Sequence, residues 1–296
     1  PASAAPLVSH AFYPYTPFRS GTGQGDRGLS FAVPSDGSGP DRVIDEAAES
    51  GWGLLELPAR HTPRTDPEAV RAVAAVVRRL LDRGGAATSE RSPVPSPLTA
   101  DRIAVGTAHR DQAAAVRAEL AGLGVTDVVV DTANRLQGRE YDVTVVLHPL
   151  SGRPDATAFH LETGRLCVLA SRHRHACIVV CRAGVSDLLD DYPSTEPVQL
   201  GTVVKFPDGW EANHAVLAHL AEHRVVSVSY TTAMPTCAPA RQWTVAHSTG
   251  ECPRSRGESA RRTRRRRHGG AHAASERTAA TPRAPALRAR GGGLGP

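Results

Sequence analysis

Between Arg102 and Tyr192 the chain alternates short runs rich in Val and Ile with segments of helical spacing. No other feature restricts the fold as strongly. RIAVGT (102–107) reads as a strand, DQAAAVRAELAGLG (111–124) as a helix closing on glycine, and VTDVVV (125–130) and DVTVVLH (142–148) as strands. TAFHLETGRLCVLASRH (157–173) has mostly helical periodicity interrupted by Gly164, HACIVVC (175–181) is a strand, and GVSDLLDDY (184–192) a short helix. Upstream, WGLLEL (52–57) is the first apolar strand. Asp66-Pro67 opens a helix over EAVRAVAAVVRRLLDRGG, with apolar residues three to four apart and a stop at Gly84. Strands each followed by a helix imply an α/β fold: a parallel sheet covered by helices on both faces.

The flanking segments carry less pattern. Residues 1–50, with Pro14, Pro17, Pro34, Pro40 and the run GTGQGDRG, read as an irregular arm, and 86–101 as a Ser/Pro-rich loop. Residues 196–230 read as an extension with a strand (VQLGTVVKF) and a helix (GWEANHAVLAHLAEHR). From 231 to 296 Ala, Arg, Thr, Pro and Gly dominate, and such a segment cannot bury enough apolar surface to offset its ordering entropy. It is expected to be disordered, which leaves 51–195 as the main domain.

The net charge of +5 hides an asymmetry, because residues 254–296 hold twelve Arg against Glu258 and Glu276. The body is therefore mildly acidic and the tail strongly basic. Lys205 is the only lysine. Five cysteines with no even framework argue against a secreted disulfide scaffold. Cys177 and Cys181 share a strand face as buried thiols, and no second pair has zinc-site spacing, so no metal site is expected. No stretch reaches the 18 or more apolar residues of a membrane span, and PASAAPLVSHAF lacks the basic and apolar regions of a signal peptide. A cytoplasmic protein without a membrane partner is the expectation.

Three stretches, in order, carry a family resemblance. IAVGTAHRDQ (103–112) resembles motif IV of superfamily 1 helicases, TANRLQGREYDVTVV (132–146) resembles motif V, and GRLCVLASRHRHACIVV (164–180) resembles motif VI. The branch containing the nonsense-mediated-decay RNA helicase and its DNA-helicase relatives is the most similar. LVSHAFYPYTPF (7–18) resembles the segment just after that family's domain junction. The resemblance implies the second RecA-like domain of such a motor, a P-loop NTPase-type fold. In these helicases ATP lies in a cleft between two such domains and nucleic acid crosses the top of both.

By that resemblance Arg172 is the catalytic arginine reaching the γ-phosphate. Guanidinium suits the role because it is always charged and grips phosphate bidentately. Gln137, Gly138, Glu140, Arg110 and Gln112 are implied as ATP-binding residues, with Gly138 letting backbone approach the ligand and Glu140 accepting from a ribose hydroxyl or a neighbouring Arg. Thr107, Thr132 and Asn134 are implied as nucleic-acid contacts, which position without reading sequence.

The 296 residues contain no GxxxxGK[ST] loop and no acid pair following an apolar strand to hold magnesium. The chain is therefore expected to be the C-terminal half of a helicase, inactive alone. It would use ATP and Mg2+ only with a separate N-terminal RecA-like domain, and would have single-stranded DNA or RNA as its other partner. A non-catalytic RecA-like module that holds nucleic acid or a partner with the help of RRTRRRRH (261–268) is the alternative. A Rossmann-type enzyme would need a Gly-rich loop after an early strand, and neither RIAVGTAHRD nor WGLLELPARH supplies one.

Overall fold

A computed structural model describes residues 1–193 and 207–227. In chain order the elements are α1 (Ala4–Phe12), β1 (Gly28–Phe31), α2 (Gly39–Ser50), β2 (Trp52–Leu57), α3 (Pro67–Asp82), β3 (Gly85–Ser89) and β4 (Ser92–Pro97). Then follow β5 (Ile103–Thr107), α4 (Arg110–Gly122), β6 (Val129–Thr132), α5 (Ala133–Leu136), β7 (Tyr141–Leu147), α6 (Ala158–Leu161) and α7 (Thr163–Ala170). β8 (His173–Arg182), α8 (Val185–Asp191), α9 (Gly209–Ala221) and β9 (Arg224–Val226) complete the described residues.

Six strands form one sheet in the order β6-β5-β7-β8-β2-β9, with every pairing parallel. Successive side chains on a strand point to opposite faces, and β8 displays the consequence. Ala176, Ile178 and Val180 join a core with α2, α3 and α4, while Cys177, Val179 and Cys181 join another with α1, α7, α8 and α9. Parallel strands buried on both faces explain why they read as continuous apolar runs rather than alternating ones. This is the α/β, RecA-like arrangement of a parallel sheet between two helical layers. Cys177 and Cys181 are buried thiols, each pushed up to about 12 by desolvation.

Several expectations need correction. The first fifty residues are not irregular throughout, because they contain α1, β1 and α2. Ala4, Leu7, Val8, Ala11 and Phe12 recur at helical spacing and are all buried. For α2, the Ser38 hydroxyl caps Asp41 N–H, Pro40 sits in the first turn, and Gly51 closes the end at φ 85°. The stretch 86–101 is not a plain loop either: β1, β3 and β4 make an antiparallel three-stranded sheet with β4 at its edge. Pro93, Pro95 and Pro97 are two residues apart. On an edge strand, alternate positions turn away from the only partner, so a missing N–H there costs little.

Strand β6 starts later than expected because Val125 N–H is taken by Leu120 O, 2.9 Å away, in closing α4. The helical stretch 157–173 breaks at Glu162 rather than at Gly164, which lies inside α7. The helix expected within 196–230 is α9, and the unforeseen β9 adds to β2 as an edge strand of the main sheet. The strand expected at 198–206, Lys205, Cys237, Cys252 and the 231–296 tail lie outside the described residues.

Candidate nucleotide and nucleic-acid edges

A parallel sheet places all strand starts along one edge and all strand ends along the other. The expected site residues divide between these two edges. Gln137, Gly138 and Glu140 precede β7 and Arg172 precedes β8, whereas Thr107 ends β5, Thr132 ends β6, and Arg110 and Gln112 open α4 beyond β5. Six residue steps along β7, at about 3.3 Å each, separate the two edges by roughly 20 Å.

At the starting edge the backbone joins the turn ahead of β7 to the residue ahead of β8. Tyr141 N–H donates to Arg172 O at 2.9 Å, and Tyr141 lies opposite His173 in the register. Arg174 Nε donates to Glu140 Oε2 at 3.2 Å, so Glu140 has a neighbouring arginine as partner. Leu136 to Arg139 form a tight turn closed by Arg139 N–H to Leu136 O at 3.1 Å. With Gln137 at φ −57°, ψ 132° and Gly138 at φ 78°, this is a type II turn, whose third position favours glycine. Gly138 therefore has a backbone reason for its identity, and open space surrounds the position its Cβ would occupy.

Arg172 is half-buried. Its Nη2 donates to Ser171 Oγ at 2.7 Å, its Nε is buried without a partner, and no carboxylate pairs with it among the described residues. Burial pushes the Cys167 thiol up, and the Arg172 charge opposes that shift. His173, between the two arginines, turns into the core, edge-on to Trp52 with ring centroids 4.8 Å apart. Burial lowers it to about 3, so the ring is neutral.

Asp142, at the head of β7, holds its neighbours in position. It is 3 % exposed, salt-bridged to Arg102 ahead of β5, and 3.6 Å from His175 Nδ1 on β8. The other nitrogen of His175 must carry a hydrogen, because it donates to Thr88 O at 2.7 Å. Asp142 thus locks the starts of three strands together and holds the exposed turn in place. Its position at the head of an apolar strand was the available signal.

The ending edge differs from expectation in three ways. Thr107 is fully buried and donates to His109 O at 3.0 Å, which leaves its hydroxyl unavailable to a phosphate. Gln112 is buried too, its Oε1 accepting from His109 N–H at 3.1 Å and its Nε2 donating to Arg64 O at 2.9 Å. It belongs to a capping box that starts α4 rather than to a ligand site. Finally, Arg110 and Gln112 stand a strand's length from Arg172 and Glu140, so these four cannot surround one nucleotide within this domain.

What remains outward-facing at that edge is Arg110 and Asn134, both exposed, with half-buried Thr132 at the N-cap of α5. Beyond them His109 Nε2 lies 3.2 Å from His160 Nε2, and Phe159 stacks on His109 with centroids 4.8 Å apart. Burial lowers His160 to about 4. Past the ends of β2, β7 and β8 is an open groove of about 710 Å³ whose lining includes Arg60, His61, Arg153 and Tyr192. Arg60, His61 and Arg153 each sit alone in a loop and Tyr192 closes α8, so only the sheet gathers them.

Beneath this edge a buried ionic knot joins β2, α3 and β8. Arg182 Nε donates to Asp66 Oδ2 at 2.6 Å, Nη2 donates to Asp66 Oδ1 at 3.1 Å and to Glu68 Oε2 at 2.6 Å, and Nη1 donates to Pro58 O at 2.8 Å. Asp66 also caps α3 by accepting from Glu68 N–H at 3.0 Å.

No curated protein matches the chain. Residues 58–184, under half of the chain, match a family model described as an AAA domain, from the end of β2 to the start of α8. That stretch includes every site residue named from the sequence, and the matched model is itself one of the superfamily 1 helicase-like P-loop families.

Proposed function

We propose that the chain carries the second motor domain of an ATP-dependent superfamily 1 nucleic-acid helicase, with Arg172 as its contribution to nucleotide chemistry. The observation behind this reading is the union of the motif V-like and motif VI-like stretches at one sheet edge. Arg172 is anchored there through its carbonyl to Tyr141 N–H, while its side chain has no acidic partner among the described residues. An arginine in an ordinary surface role is fully solvated or paired. Arg172 instead keeps a buried, unpartnered Nε, a donor suited to phosphate oxygens.

The donor set suits a triphosphate but not magnesium, which demands oxygen ligands. Glu140 is held by Arg174, Glu90 by Arg27 and Asp142 by Arg102. Bound ATP would supply the phosphoanhydride to be cleaved, and Arg172 would stabilise the charge spreading over the transferring group. Gln137 and Gly138, in the exposed turn, would face the same ligand from β7. Arg110, Thr132 and Asn134 would contact single-stranded DNA or RNA at the opposite edge, without Thr107 or Gln112. The arm and extension on either side of residues 51–195 would act as parts of this one motor domain.

The test is ATP turnover by the full chain alone and with an added RecA-like domain bearing GxxxxGK[ST]. The expected result is background turnover alone and nucleic-acid-stimulated turnover in the mixture, abolished by Arg172→Ala. Turnover by the chain alone that depends on Arg172 would refute the reading, as would a mixture indifferent to Arg172→Ala.

A further inference from the structure

The last turn of α9 and the residues after it read His219-Leu220-Ala221-Glu222-His223, an H-x-x-E-H run that enters β9 at Arg224. Residues three and four apart share a helix face. One ligating atom from each of His219, Glu222 and His223 lies within 4.8 Å of the others, and the two rings are 5.1 Å apart at their centroids. Two neighbouring features prepare this cluster. His223 Nδ1 is 2.8 Å from Glu46 Oε1 on α2, and a carboxylate only accepts, so Nδ1 carries the hydrogen. The lone pair of the neutral ring is then on Nε2, the arrangement in which a second carboxylate orients a metal-binding histidine. His219 is half-buried, edge-on to Trp52 at 5.3 Å, and its Nε2 is buried with no partner. No arginine pairs with Glu46 or Glu222 among the described residues, and Arg224 turns to Glu56 instead.

We infer that His219, Glu222 and His223 form a site for a divalent transition metal of the zinc class, with Glu46 holding His223 in its ligating tautomer. Two imidazoles and a carboxylate are a donor set that zinc favours over magnesium or calcium. Tetrahedral ligand atoms at about 2.0–2.1 Å from the ion stand roughly 3.4 Å apart, a closure that the exposed Glu222 side chain and ring rotations supply. The ion would fasten the α9–β9 corner to α2 and secure the edge strand of the main sheet. This role is independent of nucleotide binding at Arg172.

The test is titration of the chelator-treated full chain with Zn2+ alone, by calorimetry, and with Co2+, by visible absorption. Saturation at one ion per chain is expected, with tetrahedral cobalt bands and an unfolding temperature that rises with Zn2+ concentration. His223→Ala and Glu222→Gln should each weaken affinity at least tenfold, and Glu46→Gln about 10–100-fold. Absence of binding by the unaltered chain overturns the site. So does affinity unchanged in His223→Ala, which would assign the ion to other His or Cys residues such as His268 or Cys252. Should the histidine variant fail to fold, Glu222→Gln at its exposed position decides: weakened binding supports the site and unchanged binding removes it.

Discussion

Replacing Arg182 by Met would break the ionic knot beneath the ending edge while keeping most of the side-chain volume. Arg182 is 1 % exposed and Asp66 is 5 % exposed at their side chains. Removing one partner of a buried pair costs about 3–5 kcal/mol, because the other charge stays buried and uncompensated. Glu68 escapes most of that penalty, since Arg60 remains 3.0 Å away. Asp66 does not: Arg60 is 4.0 Å from it, and the Glu68 N–H is its nearest donor once Arg182 is gone. The expected loss therefore falls on Asp66, and its pH dependence has a definite sign. In the unaltered protein burial pushes Asp66 up, but the Arg182 hydrogen bonds and charge outweigh burial and hold the carboxyl below its usual range. A depressed folded-state carboxyl contributes stability above its unfolded pKa of about 3.9, and that stability disappears as pH falls through the folded value. In Arg182→Met only the Glu68 and Ala69 N–H groups and the more distant Arg60 oppose burial, so the carboxyl titrates higher than in the unaltered protein and protonation relieves more of the strain. The gap between the two proteins should be about 3–5 kcal/mol at pH 7 and shrink towards pH 4. Adding Asp66→Asn, which keeps a capping oxygen, should recover about 1–3 kcal/mol at pH 7. Urea unfolding followed by circular dichroism at both pH values measures this. A loss under about 1 kcal/mol at pH 7, or a gap that widens on acidification, would refute the reasoning.

Gln112→Ala removes both halves of the α4 start, the acceptor for His109 N–H and the donor to Arg64 O. It should cost about 1–2 kcal/mol in denaturant unfolding and leave single-stranded oligonucleotide affinity unchanged, whereas Arg110→Ala should weaken that affinity and its salt dependence with little effect on stability. Acid should destabilise the protein through His173 as well. Burial lowers His173 from its usual 6.5 to about 3, so between these values the unfolded chain binds the extra proton and stability rises with pH. Thermal unfolding of His173→Phe should be less pH-dependent across that window, and an unchanged slope would count against a buried neutral ring.

Most of the central fold was legible because each strand of a doubly covered parallel sheet is a compact apolar run with little ambiguity. RIAVGT, DVTVVLH and HACIVVC lie within two residues of the limits of β5, β7 and β8. Weaker local signals mislead for identifiable reasons. The prolines of β4 suit an edge strand but look like a loop, and α1 is obscured by the neighbouring Pro14 and Pro17, which lie outside it. Strand β9 has three residues and gains its place only by pairing with Leu54, Leu55 and Glu56.

Local sequence specifies the strand–helix alternation, the turn at Gln137-Gly138 with its glycine, the arginines flanking His173, and the lack of a phosphate-binding lysine loop. Apolar periodicity and turn stereochemistry are local properties, and neighbouring residues specify them. Which of the candidate residues can act together depends on long-range packing. Only the parallel register sets Arg172 beside Glu140 and puts Arg110 about 20 Å away at the other edge. Packing likewise turned Thr107 and Gln112 inward and brought Glu46 to His223 across 177 residues of chain. Such contacts depend on where the chain returns in space, and motif spacing carries no record of that.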